Sequence, residues 1–179
     1  DHHTSNGLFG IGYYRHGADK ERFEVNYGIN GFYFGKSSVS GGVVQEDLFT
    51  NLNYNYSLNN LPVYLAAKAI VKNTNKQYNV TLDAGIGPNF IKTSHYSEGA
   101  LNSYSVPDNA FAGHSSVAFS AMAGIGLRFN EIFGKAPLEC GYRFFYLGAG
   151  QLNPTNNQIL NRIKTGNNYA NGFICSVTA

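Results

Sequence analysis

The stretch that decides the fold covers residues 115–148 and reads SSVAFSAMAGIGLRFNEIFGKAPLECGYRFFYLG. Every second residue from Val117 to Phe129 is apolar, and mostly small or polar residues fill the positions between them. A helix would group apolar residues three and four apart, so this strict alternation predicts a β-strand. The alternation resumes after NEIFGKAP, from Leu138 to Tyr146. The two segments together predict a β-hairpin with long strands.

The second face of this hairpin is unusual for a soluble protein. Besides several glycines, it carries the isolated charges of Arg128, Glu139 and Arg143. In a soluble sandwich the apolar face would point to a core and the other face to water. Glycine and isolated charges suit the crowded interior of a small barrel instead, and the apolar face would then point outward into lipid. We therefore expect a transmembrane β-barrel.

The sequence AGIGLRFN, followed by a short turn and LECGYRFFYLG, resembles the penultimate hairpin of opacity-type and OmpA-type outer-membrane barrels. Those families carry a Gly-rich strand that ends near an aromatic residue, then a Gly-Tyr-Arg-aromatic strand. The resemblance is best over residues 78–179. It implies a closed, antiparallel, up-and-down barrel of eight strands in the outer membrane of a Gram-negative bacterium. The motif describes a way of building a barrel rather than an active site.

The composition favours the same class of protein. Charged residues make up 13% of the chain, against about 25% in soluble domains, and aromatic residues reach 15% without any Trp. No apolar run reaches the ~18 residues that a membrane helix needs, which excludes a helical membrane protein. The 179 residues are expected to form one domain, and the net charge of +2 gives no reason to expect nucleic acid as a partner. The chain opens on DHHTSN without a signal peptide, so we interpret it as a processed or trimmed chain.

Further segments alternate like the hairpin and are expected to be strands. They are residues 8–14, 23–30, 51–58, 61–71, 78–90 and 168–178. Short turns are expected at 15–22, 73–77 and 130–136, and long polar loops at 35–50, 94–113 and 151–168. Short and long connections alternate in this way in outer-membrane barrels, where the short ones are periplasmic and the long ones extracellular.

The apolar pattern slips by one residue at Asn59-Asn60, and this slip decides the strand count. A two-residue hairpin turn at this point would give eight strands within the chain, because Asn tolerates the backbone angles of such turns. A bulge within one long strand would give seven, with an eighth expected upstream of Asp1. Both alternatives stay open in the sequence. The bulge has the advantage of placing loops 35–50 and 94–113 at the same end of the barrel.

Alternation places three acidic and three basic residues on inward faces. They are Glu24, Lys68, Asp83, Arg128, Glu139 and Arg143. The interior of an eight-stranded barrel is about wide enough for side chains to fill, and buried charges are tolerable there only when they are paired. We therefore expect a salt-bridge network that plugs the lumen, with Arg143 at its centre because its planar guanidinium engages carboxylates bidentately. For Glu24 and Glu139, a position at the rim in water is the alternative.

The outward faces are expected to contact lipid. The residues predicted to do so are Val80, Leu82, Val117, Phe119, Ile125 and Phe144. Tyrosines and phenylalanines near strand ends are expected in two bands at the membrane interfaces. These are Tyr13, Tyr33, Phe34, Phe90, Phe129, Tyr142, Tyr146 and Tyr169.

The two cysteines, Cys140 and Cys175, have no metal-ligand spacing. Both lie on apolar strand faces, so one interpretation is a pair of buried or lipid-facing thiols. The other is a cross-strand disulfide between the last two strands, because antiparallel neighbours bring opposed residues within reach of one.

No group of residues predicts an active site, and no cofactor or metal is expected. Gly-Ile-Gly occurs at 10–12, 85–87 and 124–126 but never continues into the nucleotide-binding GxGxxG pattern. His95 and His114 lack a third zinc ligand at matched spacing. His114, Ser115 and Ser116, with Glu98 or Asp108, supply the residue types of a hydrolase. However, adjacent residues on a strand point to opposite faces.

The function expected from the sequence is therefore non-enzymatic. We expect a monomeric barrel of the bacterial outer membrane that contacts lipid or lipopolysaccharide. The loops 35–50, 94–113 and 151–168 would display surface for adhesion or another cell-surface partner. Two alternatives belong to other classes: a lipid-modifying outer-membrane enzyme, and a soluble, calycin-like barrel that carries a small ligand.

Overall fold

The computed structural model describes residues 7–45, 49–73, 78–133, 136–155 and 162–178, and these contain strands but no helix. The strands are β1 Leu8–Asp19, β2 Phe23–Gln45, β3 Phe49–Val71, β4 Tyr78–Ala100, β5 Phe111–Ala112, β6 Ser115–Phe133, β7 Ala136–Gly148, β8 Gln151–Pro154, β9 Ile163–Lys164 and β10 Asn168–Val177. Seven form one antiparallel sheet in the order β1-β2-β3-β4-β6-β7-β10, and β5, β8 and β9 form a small second one. A search of the described residues for a helix long and apolar enough to cross a membrane finds none.

The predicted hairpin of residues 115–148 is present as β6 and β7. Ile125 lies opposite Tyr142, and Arg128 lies opposite Glu139. The predicted all-β, antiparallel architecture is thus confirmed. Of the short turns, residues 74–77 and 134–135 lie outside the described residues. The turn predicted at 15–22 is shorter, because β1 continues to Asp19 with a bulge between His16 and Ala18.

No turn interrupts the chain at Asn59-Asn60, so the hairpin alternative is wrong and β3 is one continuous strand. The even-numbered residues of β3 face the interior on both sides of this point, as the buried Tyr56, Asn60 and Tyr64 show. The ladder irregularity lies on the neighbouring strand, between Phe34 and Ser37 of β2. The side chains therefore keep alternating without interruption through Asn59-Asn60. What changes is the outward face, which carries polar residues before this point and apolar residues after it.

The predicted loop 35–50 is largely strand, and the predicted loop 94–113 is strand in part. Residues 35–45 extend β2, and residues 94–100 extend β4, because both pair with the first half of β3. Val39 lies opposite Tyr56, for example, and Glu98 opposite Tyr54. The sequence did not predict this pairing for residues 35–45, because their Gly/Ser-rich composition is typical of loops. Within 151–168, β8 and β9 pair with each other and β8 with β5, while residues 156–161 lie outside the described part.

The two ends of the main sheet differ in their connections. We call the end near residues 20–22 and 72–73 the turn end, and the end near residues 101–114 and 149–167 the loop end. The small β5-β8-β9 sheet lies at the loop end, where Thr93 donates from its hydroxyl to the carbonyl of Gln151 at 2.8 Å. The predicted long connections at 94–113 and 151–168 thus lie at one end, but the predicted long loop at 35–50 is wrong, because β2 continues to Gln45 and β3 begins at Phe49.

The main sheet curls so that side chains from distant strands meet inside it. Phe32 of β2 contacts Phe145 of β7 with ring centroids 5.2 Å apart. However, no ladder joins the edge strands β1 and β10 among the described residues, so the structure shows a curled seven-stranded sheet rather than a closed eight-stranded barrel. From the turn end to the loop end, the interior holds a charged layer, an aromatic layer around Phe145 and Tyr64, and an apolar layer around Leu58 and Ile91.

Candidate functional site

Four of the six predicted inward charges meet at one place inside the sheet. Lys68 Nζ lies 2.6 Å from Glu139 Oε2 and 3.7 Å from Asp83 Oδ1. Arg143 Nη2 lies 3.0 Å from Asp83 Oδ2 and 3.4 Å from Glu139 Oε1. Each cation thus contacts both carboxylates, and the four side chains form a closed and electrically balanced ring. We call this group the charge cluster.

The charge cluster is almost completely removed from solvent. Its most exposed member, Arg143, has a relative accessibility of only 9%. Aromatic rings cover both cations, with Lys68 Nζ 5.0 Å from the ring centroid of Tyr14 and the Arg143 guanidinium 5.8 Å from that of Phe32. Burying a charge is costly unless it is paired and hydrogen-bonded, and these pairs meet that condition. The cluster therefore fills the cross-section of the curled sheet with paired charges, although Asp83 Oδ1 has no hydrogen-bond partner among the described residues.

The other two predicted charges, Glu24 and Arg128, lie nearer the turn end. Glu24 Oε1 accepts from Asn26 Nδ2 at 2.8 Å and lies 3.2 Å from His16 Nδ1. Arg128 takes part in no salt bridge among the described residues. Both side chains line a cleft of about 980 Å³ that also receives Arg22 and Lys72. The structure therefore separates these two residues from the charge cluster, in a water-accessible mouth.

An aromatic layer lies above the charge cluster and was not anticipated as a unit. Phe145 and Tyr64 are completely buried. Tyr64 Oη donates to Ser120 Oγ at 2.6 Å, and Ser120 Oγ donates to the carbonyl of Tyr146 at 2.7 Å. The alternation did place Tyr64 and Phe145 on inward faces, but their contact depends on how strands β3 and β7 meet across the interior. Phe34 belongs to this layer too, so its predicted place in an outward aromatic band is wrong.

The outward faces of the seven main strands carry exposed large apolar residues. They are Phe9, Ile11, Tyr13, Phe23, Tyr27, Ile29, Tyr33, Leu61, Leu65, Val71, Tyr78, Leu82, Ile86, Phe90, Val117, Phe119, Ile125, Leu127, Tyr142, Phe144, Tyr169, Phe173 and Val177. Five of the six residues predicted to face lipid are among them, and Val80 lies half-buried on the same face of β4. We call this surface the apolar band.

The apolar band ends sharply toward the loop end. Tyr33, Leu61, Phe90 and Val117 form its last row, on four neighbouring strands. Beyond this row the outward positions become polar, with Lys36, Asn59, Lys92 and Ser115. The inward positions beyond this row stay largely apolar, because Leu58, Tyr56 and Leu52 are buried there. The outward face of the sheet therefore changes from apolar to polar at one level of the molecule, while the interior continues from the aromatic layer into an apolar one.

A cleft lined by tyrosines opens at the loop end. Tyr54, Tyr56 and Tyr96 are nearly parallel, with centroids 6.1 Å apart for the first pair and 6.4 Å for Tyr54 and Tyr96. Phe111 packs edge-on against Tyr96 at 5.6 Å, and Leu152 lies at the base. The cleft measures about 510 Å³. Burial raises the pKa of Tyr56 to about 12, and burial together with the nearby Glu98 raises that of Tyr96, so both keep their hydroxyl protons.

Glu98 connects this cleft to the loop of residues 101–110. Its Oε1 accepts from Tyr96 Oη at 2.7 Å, and its Oε2 accepts from the amides of Asp108 and Asn109 at 3.0 and 3.1 Å. In turn, the backbone amide of Glu98 donates to Asn109 Oδ1 at 3.0 Å. Partial burial raises the pKa of Glu98, but these hydrogen bonds outweigh it and hold the pKa below its ordinary value. The carboxylate thus holds the loop in place.

The residues considered for hydrolysis do not form a triad among the described part of the chain. His114 Nδ1 lies 2.9 Å from Asn153 Nδ2, and His95 Nδ1 lies 3.0 Å from Ser94 Oγ. Glu98 is occupied by Tyr96 and backbone amides instead of a histidine. No group of three potential metal ligands is found among the described residues.

The two cysteines form a disulfide. Cys140 of β7 and Cys175 of β10 are directly opposed in the ladder, with Cα atoms 4.1 Å apart. The free-thiol alternative is therefore wrong, and the cross-strand bond is confirmed. The bond links the edge strand β10 covalently to its only neighbour among the described strands.

No protein-family description, no curated protein and no solved structure matches the chain.

Proposed function

We propose that the chain is a non-enzymatic β-barrel protein of the bacterial outer membrane, similar to opacity-type proteins, with a plugged interior and a surface-exposed loop end. One observation carries the proposal: the apolar band surrounds a charged and aromatic interior, and the outward face changes from apolar to polar at one level. A soluble barrel would have water around the whole outer face. Large apolar side chains on every main strand would then be exposed at a cost of roughly 25 cal/mol per Å².

The height of the apolar band fits a membrane. At about 3.3 Å per residue, the outward face of β4 from Tyr78 to Phe90 measures about 40 Å along the strand. Strands in outer-membrane barrels tilt by about 40°, which reduces this length to roughly 30 Å of height. The hydrocarbon core of a bilayer is about as thick. The polar outward residues beyond Phe90 would then lie among headgroups and in water.

A membrane location also requires closure. The edge strands β1 and β10 would otherwise present unpaired N–H and C=O groups to hydrocarbon, where each such group costs several kcal/mol. We propose that the edges of β1 and β10 are paired in the membrane, so that the barrel is closed with eight strands. The exposure of Phe9, Ile11 and Phe173 on these two strands, all above 70%, fits a lipid-facing position on both sides of this closure.

Two further features support this location and role. The disulfide between Cys140 and Cys175 is typical of an oxidising compartment such as the periplasm and cell surface. The tyrosine-lined cleft lies at the loop end, which faces the exterior in such barrels. Aromatic residues with a polar tip are enriched in contact surfaces, so the loop end supplies the surface for adhesion or another partner.

The interior argues against a calycin-like carrier. A ligand in the middle of the sheet would have to displace the charge cluster or the aromatic layer, and both are buried and packed against neighbouring side chains. The clefts of about 980 and 510 Å³ lie at the two mouths instead. No specific observation favours a lipid-modifying enzyme.

The test is insertion into lipid vesicles, measured by flotation and by a shift in gel mobility between heated and unheated samples. The full chain should float with vesicles and resist extraction at high pH. Ile125→Arg, in the apolar band, should lose insertion, because an Arg at the midplane costs about 2–4 kcal/mol. Ser115→Arg lies on the same face of β6 beyond the last apolar row and should insert like the wild type.

Two results would contradict the proposal. The first is a wild-type protein that is folded and monomeric in buffer without detergent. The second is equal insertion of wild type and Ile125→Arg. A lipid A species of altered mass after overexpression would instead favour the enzyme alternative.

A further inference from the structure

We propose that the loop-end margin of the apolar band binds a phosphorylated saccharide headgroup of the outer leaflet, with Lys36 and Lys92 as the groups that contact its phosphates. This inference rests on the proposed function and deepens it, because it names a lipid and the residues that bind it.

The two lysines belong to one transverse row of outward residues. Asn59 pairs with Lys92, and Lys92 pairs with Ser115, on β3, β4 and β6. Lys36 lies in the irregular part of β2, between Phe34 and Ser37, which is opposite Leu58 to Asn60. Strands are about 4.8 Å apart, so the backbones at Lys36 and Lys92 lie about 10 Å apart. Long lysine side chains can therefore reach one headgroup from both sides.

The row lies directly above the last apolar row. Leu61, Phe90 and Val117 follow Asn59, Lys92 and Ser115 at the next outward position of each strand. A lipid whose acyl chains pack against the apolar row would therefore have its headgroup at the level of the lysines. The headgroup would reach them without entering the interior of the protein. A surface groove of about 390 Å³ crosses this boundary and is lined by Lys92, Asn59 and Ser115 on its polar side and by Phe90 and Tyr33.

Both lysines are available to a ligand, and Lys92 also lines the groove. Neither lysine takes part in a salt bridge among the described residues. Asn59 lies between them in the row and lines the groove together with Ser115. Two ammonium groups that flank polar side chains at the edge of the apolar band thus fit a headgroup that carries both phosphates and hydroxyl groups.

The experiment measures lipid retained by the full-length protein on release from detergent micelles, by native mass spectrometry. Three probes are compared: lipid A with both phosphates, the same lipid after dephosphorylation, and inorganic phosphate. The double variant Lys36→Gln/Lys92→Gln removes the two cations, while Lys20→Gln/Arg22→Gln removes the same charge from the exposed turn end. Each lysine near an anionic surface contributes about fivefold in affinity, so the first variant should bind phosphorylated lipid A about 25-fold more weakly.

The expected pattern is specific. The wild type and the turn-end variant should retain phosphorylated lipid A equally, and both should retain the dephosphorylated lipid as weakly as the double lysine variant does. Equal loss in both double variants, or equal retention of the two lipids by the wild type, would overturn the inference. Displacement by millimolar inorganic phosphate would also overturn it, since the site would then be one for free anions.

Vesicle flotation of the same samples separates this inference from the proposed function. If the wild-type protein inserts into vesicles but does not distinguish the two lipids, the lipid site is contradicted and the proposed function is not. If the wild-type protein fails to insert, the proposed function itself is contradicted.

Discussion

Lys68 Nζ lies 2.6 Å from Glu139 Oε2, although β4 and β6 separate their strands in the sheet. In a flat sheet, strands three places apart would be about 14 Å from each other. The contact therefore requires a strong curl, which brings the inward faces of β3 and β7 together across the interior. The charge cluster is thus both a consequence of the curl and a constraint that maintains it.

Removing one cation from the charge cluster should destabilise the protein. Arg143→Ala leaves Asp83 with only the more distant Lys68 as a cationic partner, and breaking a buried pair in this way costs about 3–5 kcal/mol. The free energy of unfolding, measured by denaturant titration in lipid vesicles with circular dichroism, should fall accordingly. Lys72→Ala breaks the exposed pair with Asp19 and should leave it unchanged. A stable Arg143→Ala protein would contradict the role given to the cluster.

An added methyl group at Gly87 should also be destabilising. A Cβ at this inward position of β4 would fall on the carbonyl oxygen of Val63 in the neighbouring strand. Relieving this clash would move backbone rather than a flexible side chain, at a cost of about 1–3 kcal/mol. Gly172, which faces inward on β10, has open space around its Cβ position. Gly172→Ala should therefore unfold at the same denaturant concentration as the wild type. Equal destabilisation of both variants would show that the close approach of β3 to Gly87 is not the cause of the effect.

The loop at residues 101–110 should loosen in acid. The pKa of Glu98 is lowered in the folded protein, so the loop contact is fully present above the ordinary value of 4.5 and is lost as the pH falls through the lower folded value. The NMR amide shifts of Asp108 and Asn109 in micelles should report this transition. Glu98→Gln should abolish the pH dependence below 4.5, whereas Glu21→Gln should preserve it. Shifts that do not change between pH 6 and pH 3 would contradict the role of Glu98.

The filled interior should conduct no ions. The charge cluster and the aromatic layer around Phe145 occupy successive cross-sections of the curled sheet with buried side chains. Planar-bilayer recording of the inserted protein should show no steady conductance. A persistent, ion-selective current in the wild type would overturn the plugged interior, provided that heat-modifiable mobility shows that the sample is folded.

Most of the strands could be predicted from the sequence, because alternation along a strand is a local property. Residues 115–148 show it clearly, since apolar and small residues occupy opposite faces throughout. The extensions of β2 and β4 could not be predicted in this way. Beyond Phe34 and Phe90 the outward side chains become polar, and each extension contains a ladder irregularity, so the sequence has the appearance of a loop there.

The candidate sites, too, could be predicted from the sequence only in part. The inward direction of Lys68, Asp83, Glu139 and Arg143 followed from their positions in alternating segments, but so did that of Glu24 and Arg128, which lie apart from the cluster. The tyrosine-lined cleft was missed, because Tyr54 and Tyr96 come from different strands and only the β3–β4 register brings them together. The Tyr54/Tyr56 spacing on one face was the available signal.

The sequence alone determined the all-β class, the hairpin and the two faces of its strands, because these depend only on the two-residue period of an extended chain. The tertiary structure alone decided how far β2 and β4 extend, which inward charges pair, and that Cys140 and Cys175 are bonded. These features depend on strand register and on curvature, which join residues far apart in the chain. No local pattern contains that information.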